Sequence, residues 1–177
     1  LQTAGYDEAT GLLFIPSSEF PLIPDHPTQA DAEKAAAELL EVISDFPFES
    51  PAHRSIWVAF VLTLLARPAI SDPCPLFVFD ANTRGAGKTL LADVAGIIAE
   101  GSPMPRKALP NNDEEFRKTI TSVALEAWPS ILLDNVARTL GVPSLDAALT
   151  ATTWQDRVLG ESRTTGKLPL STVWVAT

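Results

Sequence analysis

Residues 76–91 read Leu-Phe-Val-Phe-Asp-Ala-Asn-Thr-Arg-Gly-Ala-Gly-Lys-Thr-Leu-Leu. The apolar run at 76–79 predicts a buried strand, and the apolar stretch after Thr89 predicts a helix. Between them lies a loop of small residues that ends in Gly-Lys-Thr at 87–89. A strand, a glycine-containing loop and a helix in this order direct backbone N–H groups and the positive end of a helix dipole at an anion. The stretch therefore predicts a phosphate-binding loop.

The residues expected to contact a nucleotide are those of this loop and of the following helix start. Lys88 is expected to reach the β- and γ-phosphates, and the Thr89 hydroxyl is expected to bind Mg²⁺. Five residues before Gly87 the phosphate-loop pattern has a glycine, and this chain has Asn82, which tolerates positive φ better than most residues. For Arg84, contact with phosphate and exposure to solvent stay open. The predicted nucleotide-binding residues are Asn82, Thr83, Arg84, Gly85, Ala86, Gly87, Lys88, Thr89 and Leu90.

A second candidate position is Asp134, which ends the apolar run Ile131-Leu132-Leu133. A phosphate-loop enzyme needs an acid at the end of a neighbouring strand to hold Mg²⁺, so Asp134 is predicted to share the metal with Thr89. The alternative is an aspartate that caps the next turn. Enzymes of this kind often have Glu at the following position, where it activates water. Asn135 stands there instead, and an amide orients water but is a poor base.

A third candidate feature is the basic group near the end of the sequence, formed by Arg157, Arg163 and Lys167. Arg157 is the candidate for an arginine finger that reaches the γ-phosphate of a neighbouring subunit. Alternatively, the hairpin predicted over 153–170 touches a nucleic-acid backbone. A solvent-exposed loop whose charges are balanced by Asp156 and Glu161 is the third interpretation. The sequence leaves all three open.

Strands alternate with helices along the rest of the chain, which predicts a mainly parallel sheet covered on both faces. The apolar character of residues 52–66 on nearly all sides predicts a buried helix. Other helices are predicted at 28–46, 113–127 and 144–152. Further strands are predicted at 131–134 and 172–176, with a short edge strand inside 102–112.

Taken in order, these segments resemble an AAA+ type P-loop ATPase. The resemblance is closer to the ATPase domains of replicative helicase or primase–helicase proteins of phages and mobile elements. It covers roughly residues 52–177. The matching stretches are Arg84–Ala92, Glu115–Lys118, Leu133–Asn135, Trp154–Gly160 and Val173–Thr177.

The resemblance implies an incomplete AAA+ core of three αβα layers, preceded by an N-terminal helical segment. It also implies Mg-ATP hydrolysis, a homo-oligomeric ring, and single-stranded or forked DNA as a partner. In that family a polar sensor residue and a helical lid follow the last strand, so the chain is expected to be truncated before them at Thr177. Asn135, the acidic N-terminal arm and the neutral core favour the alternative of a regulatory or degenerate nucleotide-binding module without motor activity.

Charge divides the chain into two parts. Residues 1–50 hold ten acidic residues and one Lys, which accounts for the whole net charge of −9, and residues 51–177 are neutral. We therefore predict an acidic arm and helix at 1–50 and the ATPase core at 51–177. Neither part has the basic excess of an autonomous nucleic-acid binder. A single cysteine, no signal peptide and no apolar run of membrane-spanning length predict a soluble, cytoplasmic protein without a membrane partner.

Overall fold

The computed structural model describes residues 3–17, 21–157 and 163–177. The chain divides into two compact units, Leu1–Val42 and Ile43–Thr177. Residues 43–50, which the charge pattern groups with the acidic N-terminal part, thus belong to the second unit. No helix of the described residues is both long enough and apolar enough to cross a membrane.

The first unit contains a small hairpin and one helix. Strands β1 (Gly5–Asp7) and β2 (Leu12–Phe14) pair antiparallel, and helix α1 spans Gln29–Glu41. Helix α1 begins with a capping box, in which Thr28 accepts from the backbone of Asp31 and the Asp31 side chain accepts from the backbone of Thr28. The helix ends earlier than residue 46, because the chain turns after Val42 and Ile43 is buried.

The second unit alternates helices and strands. Its helices are α2 (Pro51–Ala66), α3 (Lys88–Glu100), α4 (Asp113–Leu125) and α5 (Pro143–Thr150). Its strands are β3 (Phe77–Val78), β4 (Arg106–Ala108), β5 (Ser130–Asp134), β6 (Thr153–Trp154), β7 (Leu168–Pro169) and β8 (Val173–Ala176). A 3-10 turn at Arg67–Ala69 follows α2.

The central sheet is parallel and has the order β3-β8-β5-β4. Strand β8, the last in the sequence, lies between β3 and β5, and each of its four residues is buried. The predicted edge strand within 102–112 is β4. Because all four strands run in the same direction, the segments that follow their carboxyl ends meet at one edge of the sheet.

Helices cover both faces of this sheet. On one face, α4 and α5 pack on side chains of β5 and β8 in a cluster that includes Phe116, Leu145 and Trp174. On the other face, the Phe60 ring of α2 lies 4.9 Å from the Phe77 ring, centroid to centroid. The Trp57 indole N–H donates to the Leu91 carbonyl oxygen of α3 at 3.0 Å. The α/β prediction with a mainly parallel sheet is confirmed.

Helix α2 is less buried than its composition predicts. Trp57, Phe60, Val61 and Leu64 are buried. In contrast, Ile56, Leu62 and Leu65 are 47%, 55% and 52% exposed. A helix that packs on a sheet through one side buries only that side, and a uniformly apolar sequence does not show which side it is.

Strands β6 and β7 form the predicted hairpin, which packs against α4. The Trp154 indole N–H donates to the Thr121 hydroxyl at 2.9 Å, and Asp156 accepts from the Arg117 guanidinium. Residues 158–162 lie outside the described residues. They include Glu161, which one interpretation of the sequence expected to balance the charge of the basic group.

Candidate functional site

The loop between β3 and α3 has the backbone that its glycines predict. Gly85 and Gly87 have φ of +79° and +85°, a left-handed conformation that glycine adopts without a steric penalty. Helix α3 begins directly at Lys88, and its N-cap, Gly87, provides no side-chain hydrogen bond. The first N–H groups of a helix have no partner within the helix. At this helix start they are therefore left for an anion or for water.

The clearest feature at the sheet edge is a hydroxyl–carboxylate–hydroxyl cluster. The Thr89 hydroxyl donates to Asp134 Oδ1 at 3.0 Å, and the Thr177 hydroxyl donates to the same oxygen at 3.0 Å. Asp134 is half-buried, and Thr177 is only 6% exposed. The cluster joins the start of α3 to the ends of β5 and β8.

Thr177 is a site residue that the sequence did not predict, because the resemblance placed the polar sensor residue after it. The Thr177 N–H donates to the Leu133 carbonyl at 3.1 Å, and its own carbonyl accepts from Val136 N–H at 2.8 Å. This parallel register continues the pairing of Leu133 with Ala176 and sets Thr177 beside Asp134. A polar residue directly after a buried strand was the available signal.

Lys88 lies in the loop with one acidic neighbour. Its ammonium Nζ is 3.8 Å from Asp80 Oδ1, and the Asp80 side chain is 89% exposed. An ion pair this exposed is worth less than about 1 kcal/mol, so Lys88 is free to turn to a phosphate. Asp80 also accepts from the Ala81 N–H at 2.7 Å, which fixes the turn after β3.

Asn135 follows Asp134 directly and is exposed, with a positive φ of +55°. Asn is one of the residue types that adopt this left-handed conformation most readily. Asn82, Thr83 and Arg84 are exposed on the loop, and Leu90 is 57% exposed.

Arg157 lies on the hairpin. Its N–H donates to Asp156 Oδ1 at 2.7 Å, and it forms an isolated antiparallel bridge with Thr164. In the part of the chain that the structure describes, these contacts are within the hairpin and not with the loop at 82–89. The structure thus brings together Lys88, Thr89 and Asp134, but not Arg157.

A cavity of about 770 Å³ opens beside the loop. Its volume lies in the range of small-molecule sites, 300–1,000 Å³. The loop lines it with residues 80–83 and 86–88, and a second part of the lining comes from residues 46–49, His53 and Ile56. A smaller hollow of about 430 Å³ lies at Asp134 and Asn135, towards Arg138 and β4.

The oxygen atoms of Thr89 and Asp134 suit a magnesium ion better than a metal that is coordinated entirely by protein side chains. Among the described residues, no three His, Cys, Asp or Glu side chains converge to hold a metal. Mg²⁺ is usually held by one or two carboxylates together with phosphates and water. The Asp134 carboxylate and the Thr89 hydroxyl, 3.0 Å apart, are a donor set of this kind.

Comparison with known proteins does not assign a family. No protein-family model matches the chain, and neither a curated protein nor a solved structure shows a significant match.

Proposed function

We propose that this protein is a P-loop ATPase module that binds and hydrolyses Mg-ATP. The observation that carries the proposal is the 3.0 Å hydrogen bond between Thr89 and Asp134, which are 45 positions apart in the sequence. A Gly-Lys-Thr loop at a helix start and a strand-end acid are each common alone. Their direct contact is what a shared magnesium ion requires of them.

Each part of the site has a role in this proposal. The amides of the loop and of the first turn of α3 bind phosphate oxygens, and Lys88 neutralises the β- and γ-phosphates. Thr89 and Asp134 hold Mg²⁺, which supplies further charge neutralisation on the phosphates. Asn135 orients the attacking water, and because an amide is a poor base we expect turnover by the isolated chain to be slow.

The strand order supports Thr177 itself, rather than a residue after it as the resemblance implied, as the residue that senses the γ-phosphate. Strand β8 lies between β3 and β5, so Thr177 follows the middle strand of three neighbours. The phosphate loop follows β3 on one side of β8, and Asp134 ends β5 on the other side. A hydroxyl at this place is able to contact the terminal phosphate and Asp134 together.

The wider assignment is an AAA+ module of a phage or mobile-element DNA helicase or primase–helicase, which acts as a ring on DNA. Support comes from the hairpin β6–β7, which packs on α4 and carries Arg157. In a ring, Arg157 would contact the neighbouring subunit's nucleotide, or the hairpin would contact the nucleic acid. Asn135 favours the second candidate function, a nucleotide-binding regulatory module without motor activity, because no carboxylate follows Asp134.

The test measures Mg-ATP binding by calorimetry and single-turnover hydrolysis with and without single-stranded DNA. Lys88→Ala is expected to weaken binding, and Asp134→Ala is expected to abolish its dependence on Mg²⁺. Binding that is unchanged in Lys88→Ala would contradict the phosphate-loop assignment. Binding without any turnover, with or without DNA, would favour the regulatory module over the motor.

A further inference from the structure

The cavity beside the loop has an apolar wall that phosphate binding does not use. We call it the aromatic wall, and it consists of Phe46, Phe48 and Ile56. Both rings are half-buried, and Ile56 is 47% exposed although it is a large aliphatic residue. Apolar surface that stays open on one side of a cavity stabilises a bound apolar group, by about 25 cal/mol for each Å² that the group removes from water.

The aromatic wall adjoins the phosphate loop directly. A Cβ atom placed on Gly87 would lie 3.0 Å from Phe46 Cε1, so the ring edge rests on the glycine backbone. A ligand whose phosphates occupy the loop can therefore reach this wall. The cavity is continuous from Lys88 to Phe48.

The wall is held in place by its own backbone and neighbours. The Phe46 N–H donates to the Ile43 carbonyl at 3.1 Å, and the Phe48 N–H donates to the Phe46 carbonyl at 2.8 Å. Pro47, between the two rings, has a fixed φ. The Arg54 guanidinium carbon lies 5.9 Å from the Phe48 ring centroid and does not line the cavity. One face of Phe48 is thus supported, and the Phe48 side chain loses little conformational freedom when a ligand meets its other face.

We propose that the aromatic wall is the nucleobase site of the bound nucleotide and that it selects purines by stacking. This inference rests on the proposed function, because it takes the loop as the triphosphate site. Every base has a π face, so aromatic stacking tolerates different bases and favours the larger ring system. Beside this wall, the cavity is lined by the hydrogen-bonding side chains of Glu49 and His53, which are 89% and 49% exposed. ATP and GTP are therefore expected to bind alike, and CTP more weakly.

The test compares ligands that differ only in the part that meets the wall. Calorimetry gives the dissociation constants of Mg-ATP, Mg-CTP and Mg-tripolyphosphate for the wild type and for Phe48→Ala. Phe48 is chosen because it does not rest on Gly87, and Phe48→Leu is the second variant because it keeps an apolar side chain without a ring. Leu125→Ala, at the end of α4 on the opposite face of the sheet and 57% exposed, is the matched control.

The expected result is a loss of ATP affinity on the order of 5- to 100-fold in Phe48→Ala. A smaller loss is expected in Phe48→Leu, and tripolyphosphate affinity should stay within about twofold. Equal losses for ATP and tripolyphosphate, no loss for either, or equal wild-type affinities for ATP and CTP would overturn the base site and leave the phosphate loop standing. A wild type that binds neither ATP nor tripolyphosphate would overturn both proposals.

Discussion

Gly87→Ala is the substitution whose cost is best defined by the structure. Gly87 has φ of +85°, and a residue with a Cβ in this conformation costs roughly 1–2 kcal/mol. In addition, the new Cβ would lie 3.0 Å from Phe46 Cε1, so the ring must move by a few tenths of an ångström. Overpacking costs about 1–3 kcal/mol in a tight core, and a half-buried ring belongs at the lower end. We expect Gly87→Ala to destabilise the second unit by about 2–3 kcal/mol.

Gly85→Ala is the matched control. Gly85 has a similar φ of +79°, but no atom lies within 4 Å of its ideal Cβ position. Its cost is therefore the backbone term alone, roughly 1–2 kcal/mol. The excess of Gly87→Ala over Gly85→Ala, about 1 kcal/mol, measures the contact with Phe46.

The assay is urea unfolding followed by tryptophan fluorescence, since all four tryptophans lie in the second unit. The two glycine variants are measured in the wild type and in a Phe46→Ala background, as a double-mutant cycle. In the Phe46→Ala background, the two glycine substitutions should lower the free energy of unfolding by the same amount. If Gly87→Ala costs no more than Gly85→Ala, or if its excess persists without the Phe46 ring, the packing of Phe46 on the phosphate loop is refuted.

Three further predictions concern the site and its supports. Thr177→Val keeps the shape of the side chain but removes the hydroxyl from Asp134, so single-turnover hydrolysis should slow roughly tenfold, a difference of about 1.4 kcal/mol, with ATP affinity within about threefold. Arg157→Ala should lower hydrolysis by the assembled protein on the order of 10³-fold without weakening ATP binding, as for an arginine finger. Hydrogen bonding by Ser144 lowers the pKa of Asp113, so this contact stabilises the fold above the usual aspartate pKa and is lost as the pH falls through the lowered value. In thermal unfolding, Asp113→Asn should thus be less stable than the wild type at neutral pH, and the gap should close on acidification.

Each of these predictions has an outcome that contradicts it. Wild-type turnover in Thr177→Val would show that its hydroxyl does not act in hydrolysis. Wild-type turnover in Arg157→Ala, measured in the assembled state, would remove Arg157 from the site. A stability gap for Asp113→Asn that stays constant between neutral and acidic pH would show that the Ser144 contact does not favour the charged carboxylate.

The strands and the helix start at the sheet edge could be predicted from the sequence because their signals are local. Strand β3, the glycines and Lys88 are contiguous in the sequence, and Asp134 ends a short apolar run. The site then requires only that the sheet places β3 and β5 near each other. The structure places Thr89 in hydrogen-bond contact with Asp134, which spacing alone does not show.

Other parts of the site depend on packing between distant segments. Thr177 acquires its place from the insertion of β8 between β3 and β5, a pairing that the chain order does not reveal. Phe46 and Phe48 lie about 40 positions before the loop, in a segment that looks like the end of an acidic helix. The structure ends this helix at Glu41, and both rings line the cavity.

Whether the loop at residues 82–89 binds the phosphates of a nucleotide is tested by the amide spectrum of the ¹⁵N-labelled protein during titration with a non-hydrolysable Mg-ATP analogue. Hydrogen bonds to phosphate oxygens draw amide protons downfield. We predict that at saturation the amides of Gly85, Gly87, Lys88 and Thr89 make the largest downfield shifts, while that of Gly141, outside the loop, stays near its starting position. Saturable binding whose largest shifts lie away from residues 82–89, or no shift at millimolar nucleotide, would contradict it.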